Sequence, residues 1–270
     1  MKLADIKRKK QLFENLFIVS GVVTGLSFIL FMAYPFLLIG FLFGGIGMIY
    51  TSTSVKKLSI YFKTNFVKDV IHEEYPHLAF DPYRGFPKET VYDSKVLRKE
   101  DRYSSEDYLA GEIQGYFFES ADVHLQDVRS TGKTTTVVTV FQGRFFIFDA
   151  KKFFSKEIYV FPRQFLSRWL PHLEKVELES IEFNQTYNVY TEDKHSAYLL
   201  LKPVFIEKLI EFRNIAHRVM FGFKKDKIYI AIDTRKDTFD LKMFKPIDES
   251  FFTEIQEEIL LIYEMIQLID

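Results

Sequence analysis

Apolar positions in this chain follow three rhythms, and each predicts a different kind of element. The first is a near-continuous run. From Asn15 to Val55 no residue is charged, and two apolar blocks lie inside that stretch, LFIVSGVVTGLSFILFMAY (Leu16–Tyr34) and FLLIGFLFGGIGMIY (Phe36–Tyr50). At the helical rise the first block is roughly 28 Å long, which matches the hydrocarbon thickness of a bilayer. Pro35 separates the blocks. Proline lacks a backbone donor and clashes with the preceding turn, so it breaks a helix. The pattern therefore predicts a tight hairpin of two membrane crossings. Uncharged Thr51–Ser54 extend the second crossing into the headgroups. Gly21, Gly25, Gly40, Gly44, Gly45 and Gly47 are small enough to let the two backbones approach closely. A cleaved signal peptide has a much shorter apolar core ending in a small-residue cleavage site, and no such site is present. A helical hairpin buried in a soluble protein would need far more covering surface than the rest of the chain supplies.

The second rhythm has helical spacing. Leu58, Tyr61, Phe62, Phe66, Val67 and Ile71 predict a helix continuing out of the second crossing. Phe252, Ile255, Ile259, Ile262, Ile266 and Ile269 predict a closing helix over Glu249–Leu268. Phe251, Leu260, Leu261 and Met265 widen its apolar face beyond a coiled-coil seam, so it reads as a helix packed on a sheet. Its seven acidic residues from Asp248 to Asp270 form a solvated face. Ala197 to Ile215 also reads as helical, with Thr191–Ser196 supplying capping residues. Pro203 restarts it, giving segments Ser196–Leu201 and Val204–Ile215.

The third rhythm is that of strands, beginning near Tyr108. Thr135–Phe141 and Arg144–Phe148 are rich in β-branched and aromatic residues, and Gln142-Gly143 between them predicts a two-residue hairpin turn. Glu157–Phe161 predicts a further strand and Phe165–Leu170 a short helix. Val176–Tyr190 predicts a second β run. Arg218–Phe223, Lys227–Ile232 and Thr238–Phe244 predict a three-strand meander. Glu73–Glu106, with its prolines, reads as loop-like. The expected fold is α+β: an N-terminal two-helix transmembrane hairpin, then a mostly antiparallel β-rich cytoplasmic domain with flanking helices. Residues 1–54 form the basic N-terminus and the two spans (16–34 and 36–50), 55–106 a juxtamembrane helix and loop, and 107–270 the α+β domain.

Charge refines the address. Lys2, Lys7, Arg8, Lys9 and Lys10 precede the first crossing, Lys56, Lys57, Lys63 and Lys68 follow the second, and the turn between carries none. The positive-inside rule then places both termini in the cytoplasm of a cell-membrane, multi-pass protein. The same lysines suit anionic headgroups. The lipid bilayer is thus the first expected partner, with a protein partner on the cytoplasmic face the second. The net charge of −1 gives no field for nucleic acid. The chain has no cysteine, which removes disulfides, thiolate zinc sites, iron–sulfur clusters and cysteine nucleophiles together.

The motifs FQGRFFIFDA (Phe141–Ala150), FNQTYNVYTEDKHSAYLLLKP (Phe183–Pro203), FGFKKDKIYIAI (Phe221–Ile232) and TFDLKMF (Thr238–Phe244) resemble a family of bacterial membrane proteins known as domain of unknown function 3137. The resemblance implies the same order of parts, a basic N-terminus, two closely spaced spans and a β-rich cytoplasmic domain. It brings no catalytic or binding residues to transfer.

Motifs for chemistry are sparse. TGKTTT (Thr131–Thr136) resembles the tail of a phosphate-binding loop, but Asp127 stands where that loop needs glycine and a strand follows where it needs a helix. None of His72, His77, His124, His172, His195 and His217 falls in a recognised ligand spacing. His72 and His77 with Glu73 and Glu74 are the nearest to a metal cluster. Asp122 and His124 alternate on one strand face, a carboxylate–imidazole pair in reach of acid–base work. Asp193 and His195 sit at a helix start, where capping explains the Asp. Catalytic, cofactor-binding and metal residues are accordingly expected to be absent. The function expected is a membrane-anchored, cytoplasmic-facing interaction or regulatory module without catalysis. Its competitors are a hydrolase-like enzyme at the membrane surface and a subunit of a larger membrane complex.

Overall fold

The computed structural model describes residues 3–31, 33–132, 134–164, 169–215, 218–235 and 239–270. The chain divides into two units, Met1–Val70 with Phe239–Ile255, and Ile71–Thr238 with Gln256–Asp270.

The first unit is built on two long helices, α1 (Leu3–Leu30) and α2 (Leu38–Phe62). A single 3₁₀ turn at Pro35–Leu37 joins them, as the missing proline donor dictates. α1 begins well before the apolar block because the basic N-terminal residues continue the same helix. After α2, a π-helical turn at Lys63–Val67 leads into α3 (Lys68–Glu74).

The second unit is a seven-stranded antiparallel sheet flanked by helices. β1 (Leu78–Asp81), β2 (Arg102–Ile113), β3 (Tyr116–Ser130) and β4 (Thr135–Pro162) pair in sequence order, with α4 (Lys88–Asp93) between the first two. β7 (Val219–Asp233) lies along the other edge of β4, because Phe146 pairs with Ser120 on one side and Ile230 on the other. β6 (Tyr187–Thr191) takes over from β3 along the far half of β4, and β5 (Glu174–Val176) pairs outside it. α5 (Ile181–Thr186), α6 (Lys194–Leu200) and α7 (Pro203–Ile215) complete the connections, and Pro203 opens α7 as the sequence predicts. α8 (Glu249–Ile269) closes the chain.

Strand alternation assigns the two faces of the sheet. Ala121, Phe145, Ile147, Tyr159, Phe161 and Ala231 are buried on one face with Phe86, Val91, Val96 and Leu97. Phe86 meets Phe145 edge-on at 5.7 Å. The opposite face carries Phe146, Phe148, Phe221, Phe223 and Ile230, and α7 lies on it through Phe212 on Phe221 and Phe205 on Phe223. Both faces are therefore covered, which is why the strands read as runs of large apolar residues.

Several expected elements do not form. Gln142-Gly143 is no turn, since β4 runs straight through it and Gly143 pairs with Val123 on one side and Asp233 on the other. Its glycine serves close approach, because a Cβ there would overlap the Ile232 carbonyl. The real two-residue hairpin is Gln114-Gly115, where both residues have positive φ, 51° and 76°. That is the geometry such turns require. The first two members of the expected meander are one strand, β7, which runs through the polar KKDK with Lys225 at φ 54°, while the surplus residues of the pairing fall on β4. The third member of the meander does not form: residues 239–244 are not a strand, and Thr238 lies outside the described residues. The β run expected over Val176–Tyr190 is interrupted by α5, which Ser180 caps through the Phe183 N–H. Of the helix expected over Phe165–Leu170, residues 165–168 lie outside the described residues.

Candidate functional site

Three arrangements carry the functional chemistry of the described residues, and the first lies in the helical unit. Ser20, Thr24 and Ser27 of α1 pack on Gly47, Gly44 and Gly40 of α2. The hydroxyl-on-glycine seam brings the backbones together and turns the larger side chains outward. Val22, Phe28, Ile39, Phe43 and Ile49 are all more than half exposed. At the polar end of the pair, two of the lysines read from sequence as headgroup residues are instead buried. Lys10 donates to the Lys245 carbonyl at 2.8 Å and pairs with Glu14. Lys63, 1% exposed, lies 3.0 Å from Asp240. Asp240 also accepts from the Ser59 hydroxyl at 2.7 Å, and that hydroxyl in turn accepts the Leu241 N–H at 2.8 Å. Phe62 stacks on Phe66 and meets Phe251 edge-on. The segment expected as the third meander strand thus uses its backbone and its aspartate on the helix pair.

The second arrangement concerns Asp122 and His124. Both lie on β3, and each has a partner other than its neighbour. Arg144, 2% exposed on β4, donates to Asp122 at 3.1 Å and to the Ser120 hydroxyl at 3.1 Å. His124 contacts the Thr139 hydroxyl at 3.2 Å. The guanidinium and the carboxylate thus share a charge-assisted hydrogen bond, a directional contact. Sequence reasoning missed Arg144. The available signal was an arginine beside a run of phenylalanines, since a charge on a sheet covered on both faces must find a partner.

The third is a hollow of about 380 Å³ lined by Tyr92, Asp93, Lys95, Lys224, Lys225, Asp226 and Tyr229. Two of its lysines belong to an ion-pair cluster. Glu157 lies 2.7 Å from Lys95 and 3.2 Å from Lys224, and accepts the Tyr159 hydroxyl at 3.1 Å. Partial burial works to raise the Glu157 pKa, but the two ammonium groups prevail and hold it below the ordinary value. Burial pushes the Tyr159 phenol up, and the Glu157 charge adds to it. Acid–base catalysis needs a group poised near neutrality, and both of these are moved away from it. The same trend holds for Tyr108, pushed up to about 12 by burial and by its bond to Glu119.

The remaining residues singled out by sequence are dispersed. His72 lies in the last turn of α3, while His77 sits beside Tyr75 before β1. Among the described residues no group of three or more His, Asp or Glu could hold a metal ion. Asp193 caps α6 by accepting the His195 and Ser196 N–H groups, leaving His195 exposed. Around TGKTTT the chain turns, with Thr131 N–H bonded to the Thr134 carbonyl at 3.0 Å and Gly132 at φ 80°, and a strand follows at Thr135. Lys133 of that motif and His217 lie outside the described residues.

Residues 139–270 match the family model described as Protein of unknown function (DUF3137), the family that the sequence motifs resemble. No curated protein matches the chain. Among solved structures the chain is similar to the crystal structure of the mycobacterial trehalose monomycolate transport factor A. The two are 6% identical with a TM-score of 0.40, over 73% of this chain and 93% of that one.

Proposed function

We propose that the chain is a membrane-anchored interaction module, with residues 1–54 as a two-span anchor and the sheet unit as a cytoplasmic domain that binds rather than catalyses. One observation carries the reading. α1 and the helical stretch Pro35–Glu74 are long and apolar enough to cross a membrane, and the apolar windows within them are only 6% and 11% buried by the rest of the protein. A helix that is apolar all round and uncovered needs lipid as its solvent. Seams of Ser, Thr and Gly between the two helices suit that solvent, because close backbone packing replaces the hydrophobic drive that lipid removes. Support for a binding role comes from the carboxylates: Asp122 and Glu157 are engaged in ion pairs with Arg144, Lys95 and Lys224. The excess of lysine and arginine before α1's apolar part and after α2's supports termini on the cytoplasmic side.

Membrane fractionation tests the anchor. The full chain should stay in the pellet through an alkaline carbonate wash and leave it only with detergent. Release by carbonate alone would overturn the reading. A reporter fused after Asp270 tests the side, since it should be active only in its cytoplasmic form.

A further inference from the structure

We propose that the Lys151–Lys156 stretch of β4, together with the junction of α6 and α7, forms a contact surface for anionic phospholipid headgroups. Phe153, Leu199 and Val204 enter the interfacial layer while Lys152 and Lys202 meet the phosphates. The proposal rests on the anchored reading, because a tether holds the domain within reach of a bilayer at high effective concentration.

The surface originates in a break in the sheet. β3 pairs with β4 up to Phe148, and β6 begins at Ile158. Between those points that edge of β4 has no strand partner among the described residues. On the other edge, β4 takes nine steps from Asp149 to Ile158 while β7 takes four from Lys227 to Phe223, meeting it only at Phe154–Lys225. The surplus residues bulge outward and carry the sequence KKFFSK. Phe154 turns in, 8% exposed, and packs on Phe223, but Phe153 stands 71% exposed in the middle of a strand.

Two neighbouring hollows continue the surface. One, of about 240 Å³, is lined by Phe153, Lys156 and Leu199 among others. The second, of about 200 Å³, is lined by Lys202, Val204 and Lys208. They share Lys152, Phe154 and Leu200. Leu199 is 58% and Val204 67% exposed. Three large apolar side chains therefore stand in water on one surface, each beside a lysine.

The charges favour an anion. Lys152 has its pKa lowered by partial burial and by the neighbouring positive charge of Lys202. The nearby acids are already engaged, Glu192 with Lys156 at 3.5 Å and Asp270 with Lys151 at 2.8 Å and the Tyr116 hydroxyl at 2.9 Å. A purely apolar protein partner would leave the lysines unmatched, and a nucleic acid would leave the aliphatic Leu199 and Val204 unmatched. An anionic lipid surface satisfies both, phosphate outside and hydrocarbon beneath.

Because the chain has no cysteine, a single label can be placed without background. Full-length Phe153→Cys and, separately, Leu199→Cys carry an environment-sensitive fluorophore in proteoliposomes whose headgroups bear a nitroxide quencher. Quenching should be strong in vesicles containing phosphatidylglycerol and weak in phosphatidylcholine alone. Adding Lys152→Gln with Lys202→Gln should weaken the headgroup interaction about tenfold or more. A label at Tyr83→Cys, exposed outside this surface, should respond to neither change. Equal quenching in both lipids, no quenching at either site, or quenching that survives the double lysine substitution overturns the proposal; the second of these would leave the surface to a protein partner. Carbonate extraction of the same vesicles separates the two readings. Chain that stays inserted with no lipid-dependent quenching defeats the contact surface alone, whereas chain that washes off defeats the anchor.

Discussion

Arg144 and Asp122 sit opposite each other in the β3–β4 ladder, their side chains 3.1 Å apart and almost wholly removed from water, with the Ser120 hydroxyl as a second acceptor for the guanidinium. An ion pair in such surroundings contributes little net stability against an apolar pair of similar size, but losing one member leaves a buried charge uncompensated. Arg144→Met alone should therefore destabilise the protein by about 3–5 kcal/mol, whereas Arg144→Met with Asp122→Leu should recover most of that loss. Denaturant unfolding of the detergent-solubilised chain measures both. Equal losses for the single and double variants would mean that the pair is worth more than its desolvation.

Helix packing gives a sharp contrast between adjacent glycines. A Cβ on Gly44 would lie 2.8 Å from the Ser20 carbonyl, while one on Gly45 meets nothing within 4 Å. Gly44→Ala should cost about 1–3 kcal/mol through overpacking. Gly45→Ala should be neutral or mildly stabilising, since alanine is the better helix former. Thermal unfolding in detergent compares the two, and identical midpoints would refute the seam.

Within the sheet, Gly143→Ala should also cost about 1–3 kcal/mol, because the added methyl overlaps the Ile232 carbonyl on β7. Hydrogen exchange should show faster opening of β4 and β7 around this position. Unchanged protection there would argue that the two strands are not held so tightly.

Glu157 predicts an acid-side response. Its pKa is depressed below 4.5 in the folded state by Lys95 and Lys224, which outweigh its partial burial. The stability it contributes is complete above the unfolded value and is lost as pH falls through the folded one. Glu157→Gln should therefore lower stability near neutrality and flatten its decline below about pH 4.5. Asp127, Asp193 and Asp270, whose pKa values are also lowered, leave a residual slope in both proteins. Parallel pH curves for the two proteins would show that the lysine cluster does not hold this carboxylate.

Much of the layout was legible before any coordinates. Helix periodicity placed α7 and α8 to within a few residues, and Pro203 marked the start of α7 because proline fits only a first turn. Errors cluster where polar residues interrupt a strand pattern. Gln142-Gly143 and KKDK were both read as turns, since a turn is the local solution to exposing polar groups. In the folded chain a left-handed residue at Lys225 and a close approach at Gly143 provide another solution, and only the neighbouring strand decides between them. Gln114-Gly115, which the strand pattern does not single out, has the left-handed backbone of the true hairpin.

For the candidate sites the boundary falls in the same place. Residue order alone shows that Leu16–Tyr50 is uncharged and apolar, that helices carry both ends and strands the middle, and that no cysteine chemistry is available. These follow from composition and from the periods of helix and strand, which are local properties. Folding in three dimensions pairs Asp122 with Arg144 and not with His124, buries Lys10 and Lys63, and brings Phe153 beside Leu199. Each of those pairings joins residues distant in the chain or depends on strand register, and register is fixed by packing across the whole sheet.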